Sequence, residues 1–436
     1  IDEMVSKSSF AHIVTLAESP LDENRLYAGS GDGLLHYTHD GGESWQRAEL
    51  VGLPEFARIN HIVASPHDAD VAYAACNNFF AGDFRPYLYK TSDGGAIWTA
   101  INADLPEHGS TYTVGVDHVD SDLLFVGTMT GVFVSNTAEI KWVKLKGGIP
   151  ASVQVMDLDI QRDEDDLVVS TFGRGVYILD DYSPLRHLDP ETLEEPAALF
   201  PVADALMFVE ADPMGFPGVG FLGASFYSAP NPEVGAPVSY YIKEDHKSLK
   251  EIRNEAEKEL QDGGKDIALP TYDERKKEAT EEDPFLLFVI TDSDGRAIRK
   301  IKKEIEAGVH RLVWDFRAGP VGPISLDSGG DYVPWETPEQ GYMVPPGVYR
   351  VAMYRYDDGV LSQLGEAQDL SCKPLNDAGL SAVDREALDT FNRKVAELSR
   401  AISSADSHRK HLQKSLPYLE QAILGSSGLD ENGLAE

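Results

Sequence analysis

The sequence predicts a mainly β chain: about four β-propeller blades, then a β-sandwich, then a C-terminal helical hairpin. Three observations carry this. Thr-x-Asp-Gly-Gly-x-x-Trp occurs twice, at 38–45 and 91–98. Short strand-like runs recur in threes around these segments. Beyond residue 380 the apolar residues change to helical steps of three and four.

The bulk properties narrow the function. At ~100–200 residues per domain, 436 residues make two to four domains. Asp plus Glu is 73 against 38 Lys plus Arg, a net charge of −35. This excludes nucleic acid, whose phosphates need a basic face, and adsorption to an anionic membrane. No apolar run is long enough to span a bilayer. Cys76 and Cys372 cannot make a disulfide framework and read as buried thiols. No zinc-ligand spacing occurs, and His408 and His411 read as a solvated helix face. No cofactor or metal is expected. A start at Ile1 without a leader-like segment suggests a processed chain or fragment.

The repeats come first in the chain. Trp45, Trp98 and Trp142 follow one another at ~40–50 residues, a blade-like period. Ser135-Asn136-Thr137 through Trp142 is a worn third copy. Three strand-like runs precede each box: His12–Leu16, Arg25–Gly29 and Leu34–Thr38, then His61–Ala64, Val71–Ala75 and Tyr87–Thr91, then Thr113–Val116, Leu123–Gly127 and Val132–Ser135. A fourth set, Val155–Ile160, Leu167–Thr171 and Val176–Leu179, lacks a box. Three strands, a Gly-rich turn and a Trp-led fourth strand make a blade. Gly-Gly supplies positive φ, Asp accepts N–H bonds inside its turn, and Trp is expected to pack between blades.

The boxes resemble the Asp-box, or bacterial neuraminidase repeat, of sialidases, xyloglucanase-type glycosidases and sortilin-type receptors. Pro86–Gly95, Leu124–Thr128 and Phe172–Asp181 are similar, in that order, to large bacterial sortilin-like or glycosyl-hydrolase-like repeat proteins. That resemblance implies a propeller, an Ig-like domain and terminal helices, and a secreted, periplasmic or cell-surface location. It implies structural roles for Asp40, Gly42, Trp45, Asp93, Gly95 and Trp98. Family propellers have six or more blades. The remaining blades are therefore expected from upstream polypeptide or from a second chain, since open edges expose unpaired backbone groups.

The domain reading is 1–185 propeller blades, 186–235 a Pro/Gly-rich connector, 236–372 a sandwich with a helical insertion at 246–283, and 376–424 the hairpin. Sandwich strands are read at Pro237–Lys243, Pro284–Thr291, Arg296–Lys303, Val309–Phe316, Val348–Tyr356 and Val360–Leu364. The edges Ala307–Asp315 and Pro345–Tyr349 resemble fibronectin-like sandwiches. The insertion reads as one helix, His246–Leu260, and a charged mobile loop, Thr271–Asp283. Leu388, Phe391, Val395, Leu398 and Ile402, then Leu412, Leu416, Leu419 and Ile423, give two helices parted at Ser403–Ser407. They are expected to pack on each other, with a dimer seam as the alternative. Ser381 is the expected cap and Pro417 a bend.

The boxes join strands three and four, so loops joining strands two and three lie on the opposite face, where Asp-box enzymes carry ligand. These loops include Ser30–Asp32, Asn77–Arg85, Thr128–Thr130 and Gly173–Gly175. Aromatics stack on sugars or side chains, while amides and Arg orient them, which selects Asn77, Asn78, Phe79, Phe80, Arg85 and Arg174 as ligand-binding candidates. Two functions follow. One is an extracytoplasmic binding or scaffold module for protein, peptide or glycan. The other is a sialidase- or xyloglucanase-like glycoside hydrolase with catalytic groups partly outside this chain, for which Asp32 and Asp83 are the carboxylates in reach. The binding reading is preferred. The acidic turns Asp163–Asp166 and Asp292–Gly295 lack the calcium-loop pattern and read as solvated.

Overall fold

The computed structural model describes residues 11–136, 139–150, 152–208, 232–322, 340–376 and 382–425. The capping role of Ser381 and connector positions 209–231 lie outside these residues. The chain forms two compact units that divide between Glu194 and Glu195.

The first unit is four blades. Blade 1 is β1 (Ile13–Ser19), β2 (Asp22–Ser30), β3 (Leu35–Thr38) and β4 (Gln46–Leu50). Blade 2 is β5 (Arg58–Ala64), β6 (Ala72–Asn78), β7 (Asp83–Thr91) and β8 (Ile97–Ala100). Blade 3 is β9 (Thr111–Val116), β10 (Leu123–Thr128), β11 (Gly131–Asn136) and β12 (Val143–Lys144). Blade 4 is β13 (Val155–Gln161), β14 (Asp166–Thr171) and β15 (Val176–Leu179). Each is an antiparallel meander in chain order, and a short parallel pairing of β4 with β8 joins blades 1 and 2.

Strand alternation gives each blade two apolar faces, and three cores result. Tyr27, Leu35 and Tyr37 of blade 1 meet Ala72, Ala74, Cys76 and Trp98 of blade 2. The other face of β6, with Tyr73 and Ala75, meets Val114, Val126 and Trp142 of blade 3. Phe125 and Leu123 then meet Val155, Leu167 and Val169 of blade 4. Each large side chain so buried contributes roughly 1.5–3 kcal/mol. The first strands pack in sequence, β1 on β5, β5 on β9 and β9 on β13. At the two ends of this series apolar side chains are exposed: Ile13 and Leu16 on β1, Val176 and Ile178 on β15.

Trp45 departs from its expected place. Trp98 is 3% exposed and Trp142 is buried, whereas Trp45 is 42% exposed. Trp98 packs onto blade 1 and Trp142 donates Nε1–H to the carbonyl of Ile101, just after blade 2. Each indole docks on the preceding blade, and among the described residues none precedes blade 1.

The second unit is a sandwich. One sheet holds β16 (Ala197–Leu199), β18 (Ala236–Ile242) and β21 (Gly308–Trp314), and the other β17 (Ala205–Met207), β23 (Val360–Pro374), β22 (Gly347–Asp357), β19 (Phe285–Thr291) and β20 (Ala297–Lys303). Their inner faces share one core around Trp314, Phe288, Val238 and Val351. β16 and β17 form inside the stretch read as a connector. Three apolar residues between prolines are too short a run for periodicity to register, yet Leu199 pairs with Tyr240 and Ala205 with Cys372.

The helices correct two further readings. The insertion holds α1 (Leu249–Asp262) and also α2 (Tyr272–Thr280) in place of a mobile loop. Both carry capping boxes, Ser248 with Glu251 and Thr271 with Glu274, and Arg253 on α1 pairs with Glu278 on α2 at 2.6 Å. The C-terminal segment is one 44-residue helix, α3 (Ala382–Gly425), in place of a hairpin. Serines at 403–407 cost only a few tenths of a kcal/mol each in a helix. Asp406 spans the would-be break by pairing with Arg409 at 2.7 Å and Lys410 at 2.9 Å. Pro417 sits inside the helix without ending it.

Candidate functional site

The loops between second and third strands gather at one end of the blades, held by a repeated bond. Gly31, Met129 and Phe172 each donate N–H to a carbonyl just before the first strand of their blade, His12, Ser110 and Gln154, all at 2.9 Å. Each blade carries a bulge here, between Ile13 and Thr15, Ile59 and His61, Thr111 and Thr113, and Val155 and Asp157.

The bulges re-aim one polar residue per blade. Thr15 Oγ1 accepts from Ile62 N–H at 3.1 Å. His61 Nδ1 lies 3.1 Å from Thr113 Oγ1 and accepts from Val114 N–H, and Thr113 reaches Asp157 Oδ1 at 3.2 Å. Burial lowers the His61 pKa against the pull of Asp157, so the ring is neutral at pH 7. This chain crosses blades 2, 3 and 4. Inspection of the loops alone missed it. The signal was a polar residue at the same place in four first strands (Thr15, His61, Thr113, Asp157), visible once the repeats are aligned by strand. Thr113 is fully buried, so its hydroxyl fastens blades and is no exposed nucleophile.

The six candidates divide between anchoring and display. Asn77 is buried and donates to Thr111 carbonyl at 3.2 Å, tying blade 2 to blade 3. Asn78 is half-buried, pairs with Asp83 across the loop and precedes a short 3-10 turn, Phe79–Ala81. Gly82 closes that turn at φ +78, a conformation glycine takes without strain. Phe79 is half-buried, with Tyr112 6.0 Å away on one side and Phe80 4.1 Å away on the other. Phe80 is 80% exposed. Arg85 is exposed and forks onto Asp83, Nε–Oδ1 2.9 Å and Nη2–Oδ2 2.8 Å, with Tyr87 donating to Oδ2 at 2.6 Å. Arg174 is exposed and makes no ion pair among the described residues.

Both carboxylates are engaged by neighbours. The fork from Arg85, aided by Tyr87, holds Asp83 well below the usual carboxylate range. Asp32 Oδ1 takes the hydroxyl of Ser30 within its own turn at 2.5 Å. A general acid needs a raised pKa, and the surroundings of Asp83 push the other way.

The two Thr-x-Asp-Gly-Gly-x-x-Trp turns at the other end are closed by their own aspartates. Asp40 Oδ1 accepts from Thr38 Oγ1 at 2.6 Å and Ser44 N–H at 2.9 Å. Asp93 Oδ1 accepts likewise from Thr91 Oγ1 at 2.8 Å and Ile97 N–H at 3.0 Å. In the third copy Asn136 instead donates to the carbonyls of Leu185 and Arg186.

Also at that end lies a polar cluster. Asp117, His118 and Asp165 are close enough to hold a cation. Arg186 occupies the space as an internal one, with Nε 2.9 Å from Asp117 and Nη2 2.5 Å from Asp165. Beside it is a cavity of about 420 Å³ lined by Asp120, Asp122, Glu139, Asp189, Lys141 and Arg186. No helix of the described residues is long and apolar enough to cross a membrane.

The likenesses to solved structures are faint and span parts of chains. No family model matches the chain, and no curated protein does. A GH74 enzyme of Niastella koreensis is 14% identical over 39% of this chain and 29% of its own, with a TM-score of 0.32. YCF48 bound to a D1 peptide is 17% identical over 40% and 53%, with a TM-score of 0.31. The GH74 xyloglucanase of Xanthomonas campestris is 13% identical over 81% and 38%, with a TM-score of 0.30. This chain thus spans well under two thirds of each. The propeller architecture rests on the blades' own strand order and register.

Proposed function

We propose that this chain is an extracytoplasmic binding or scaffold segment that presents the strand-two-to-three loops of its blades to protein, peptide or glycan. The observation that carries the reading is the Phe79–Phe80 pair. An aromatic face that is four-fifths exposed, on a loop braced by Asp83, Arg85 and Tyr87, is a ready stacking platform. Arg174 adds an exposed cation at the same end of the blades, suited to a carboxylate or a hydroxyl-rich ligand. Support for binding over hydrolysis comes from Asp83, which its partners Arg85 and Tyr87 hold as a carboxylate, and from Asp32, which is engaged by Ser30.

The reading includes further blades, from upstream polypeptide or a second chain, against the exposed faces of β1 and β15. Its support is the contrast between Trp45 and Trp98, which share a motif but not an environment.

The test is a glycan and peptide array probed with the chain and with Phe80→Ala and Arg174→Ala. A ligand captured by the parent and lost by both variants, at unchanged Tm, is expected. Equal capture by all three would sink the site. Release of reducing sugar from a captured glycan would replace binding by hydrolysis.

A further inference from the structure

The long helix presents a seam that the described residues of its own unit do not cover. The two apolar runs of α3 share one heptad phase. Steps of three and four lead from Ile402 through Ala405 and Arg409 to Leu412, so the stripe continues from Leu388 to Ile423 without a stutter. α3 meets the sandwich through other residues. Asp389 is buried, Arg393 approaches Asp292, and Arg400 donates to the carbonyls of Pro320 and Val321. Spaced four and seven residues apart, these three lie on the side of the helix opposite the stripe. The apolar seam therefore faces away, and Leu398, Ile402 and Leu416 are each about 60% exposed.

From this we infer that α3 pairs with α3 of a second copy of the chain as an antiparallel coiled coil. A 3.5-residue period held for five heptads is what a supercoiled partner helix demands, whereas a flat sheet face accepts a straight 3.6 stripe. The seam is ~50 Å long and ~10 Å wide, which gives ~1,000 Å² over two copies, enough for a specific pair. Arg409 sets the orientation. In a parallel, in-register pair it would face its own charge, and Ala405 would face Ala405 across a gap. Antiparallel pairing with Phe391 opposite Ile423 of the second copy sets Arg409 over the small Ala405, with its head free to keep Asp406. Leu398 then meets Leu416 and Ile402 meets Leu412. This pairing needs no ligand.

The experiment is sedimentation of the whole chain with a Leu398→Asp/Leu416→Asp double variant. The parent is expected as a dimer at micromolar concentration and the variant as a monomer with the same Tm for the β units. A monomeric parent, or a dimer the variant leaves intact, overturns the inference. Orientation is read by disulfide formation, since Cys76 and Cys372 are buried and do not compete. Mixed Ala405→Cys and Arg409→Cys chains should cross-link and Leu416→Cys alone should not; the reverse outcome makes the pair parallel and overturns the register.

Discussion

The indole of Trp98 meets the ring of Tyr27 edge-on, with centroids 6.2 Å apart and planes at 86°. The two residues belong to successive blades, so this contact is a rivet between repeats. The indole N–H goes to Gly95 carbonyl at 2.9 Å, so the Trp98 donor is paired inside its own turn. Trp98→Ala should destabilise the first unit by ~3–5 kcal/mol, the usual cost of deleting a buried Trp. Trp45→Ala removes the same side chain from a half-open surface and should cost under ~1 kcal/mol. Urea unfolding of the two variants, followed by far-UV circular dichroism, checks the pair. Equal costs would mean that the two boxes share one environment.

The same asymmetry exists at glycine. Gly95 has φ +111, and a Cβ there would lie 2.8 Å from Tyr37 and 3.0 Å from Tyr27 of the preceding blade. Gly42 has φ +96, and its nearest neighbour would be its own Trp45 at 3.6 Å. Both alanine variants carry left-handed strain of ~1–2 kcal/mol. Only Gly95→Ala also forces two aromatic rings off their blade. It should therefore cost ~1–3 kcal/mol more than Gly42→Ala, the range seen for overpacked cores. Thermal unfolding of both should place Gly95→Ala lower.

Much of this fold was legible because its signals are local. Each blade strand is bounded by turn residues, and the boxes repeat as written in Thr38–Trp45 and Thr91–Trp98. What was not legible depends on distant partners. β16 and β17 are strands because Tyr240 and Cys372 lie beside them, not because of their own three residues. The continuity of α3 was hidden by serines that break helices only weakly, while Ala405 and Arg409 kept the heptad phase through polar or small side chains. At the candidate site the loops could be located by topology, but burial decided each residue's role. Asn77 and Phe80 sit three apart, one nearly sealed and the other in solvent.

Phe80 also offers a control on the loop itself. Its ring stacks on Phe79 but is otherwise in water, so Phe80→Ala should change stability by less than ~1 kcal/mol. Asp83→Ala removes the anchor of both Arg85 and Tyr87 and should loosen the whole turn. Hydrogen exchange at 79–85 should rise for Asp83→Ala and stay near the parent for Phe80→Ala. Matched exchange in the two variants would show that the fork does not brace the loop.

The Arg186 cluster ties acid stability to one carboxylate. Asp117 has no exposed side-chain surface, and burial alone would raise its pKa. Arg186, Tyr182 and the Asp120 N–H outweigh burial and bring it down to about 2. A carboxylate depressed in the folded state stabilises fully above its unfolded pKa of ~3.9. That contribution is lost as pH falls from there through about 2. Removing Arg186 leaves the buried Asp117 charge without its guanidinium partner, so Arg186→Met should cost ~3–5 kcal/mol at pH 7. In the variant burial prevails and the Asp117 pKa moves up. Protonation below pH ~4 then relieves the stranded charge, so the gap between parent and variant should narrow with acid. Urea midpoints at pH 7 and pH 3 measure both values. A gap that widens toward pH 3 would contradict the assigned charge state.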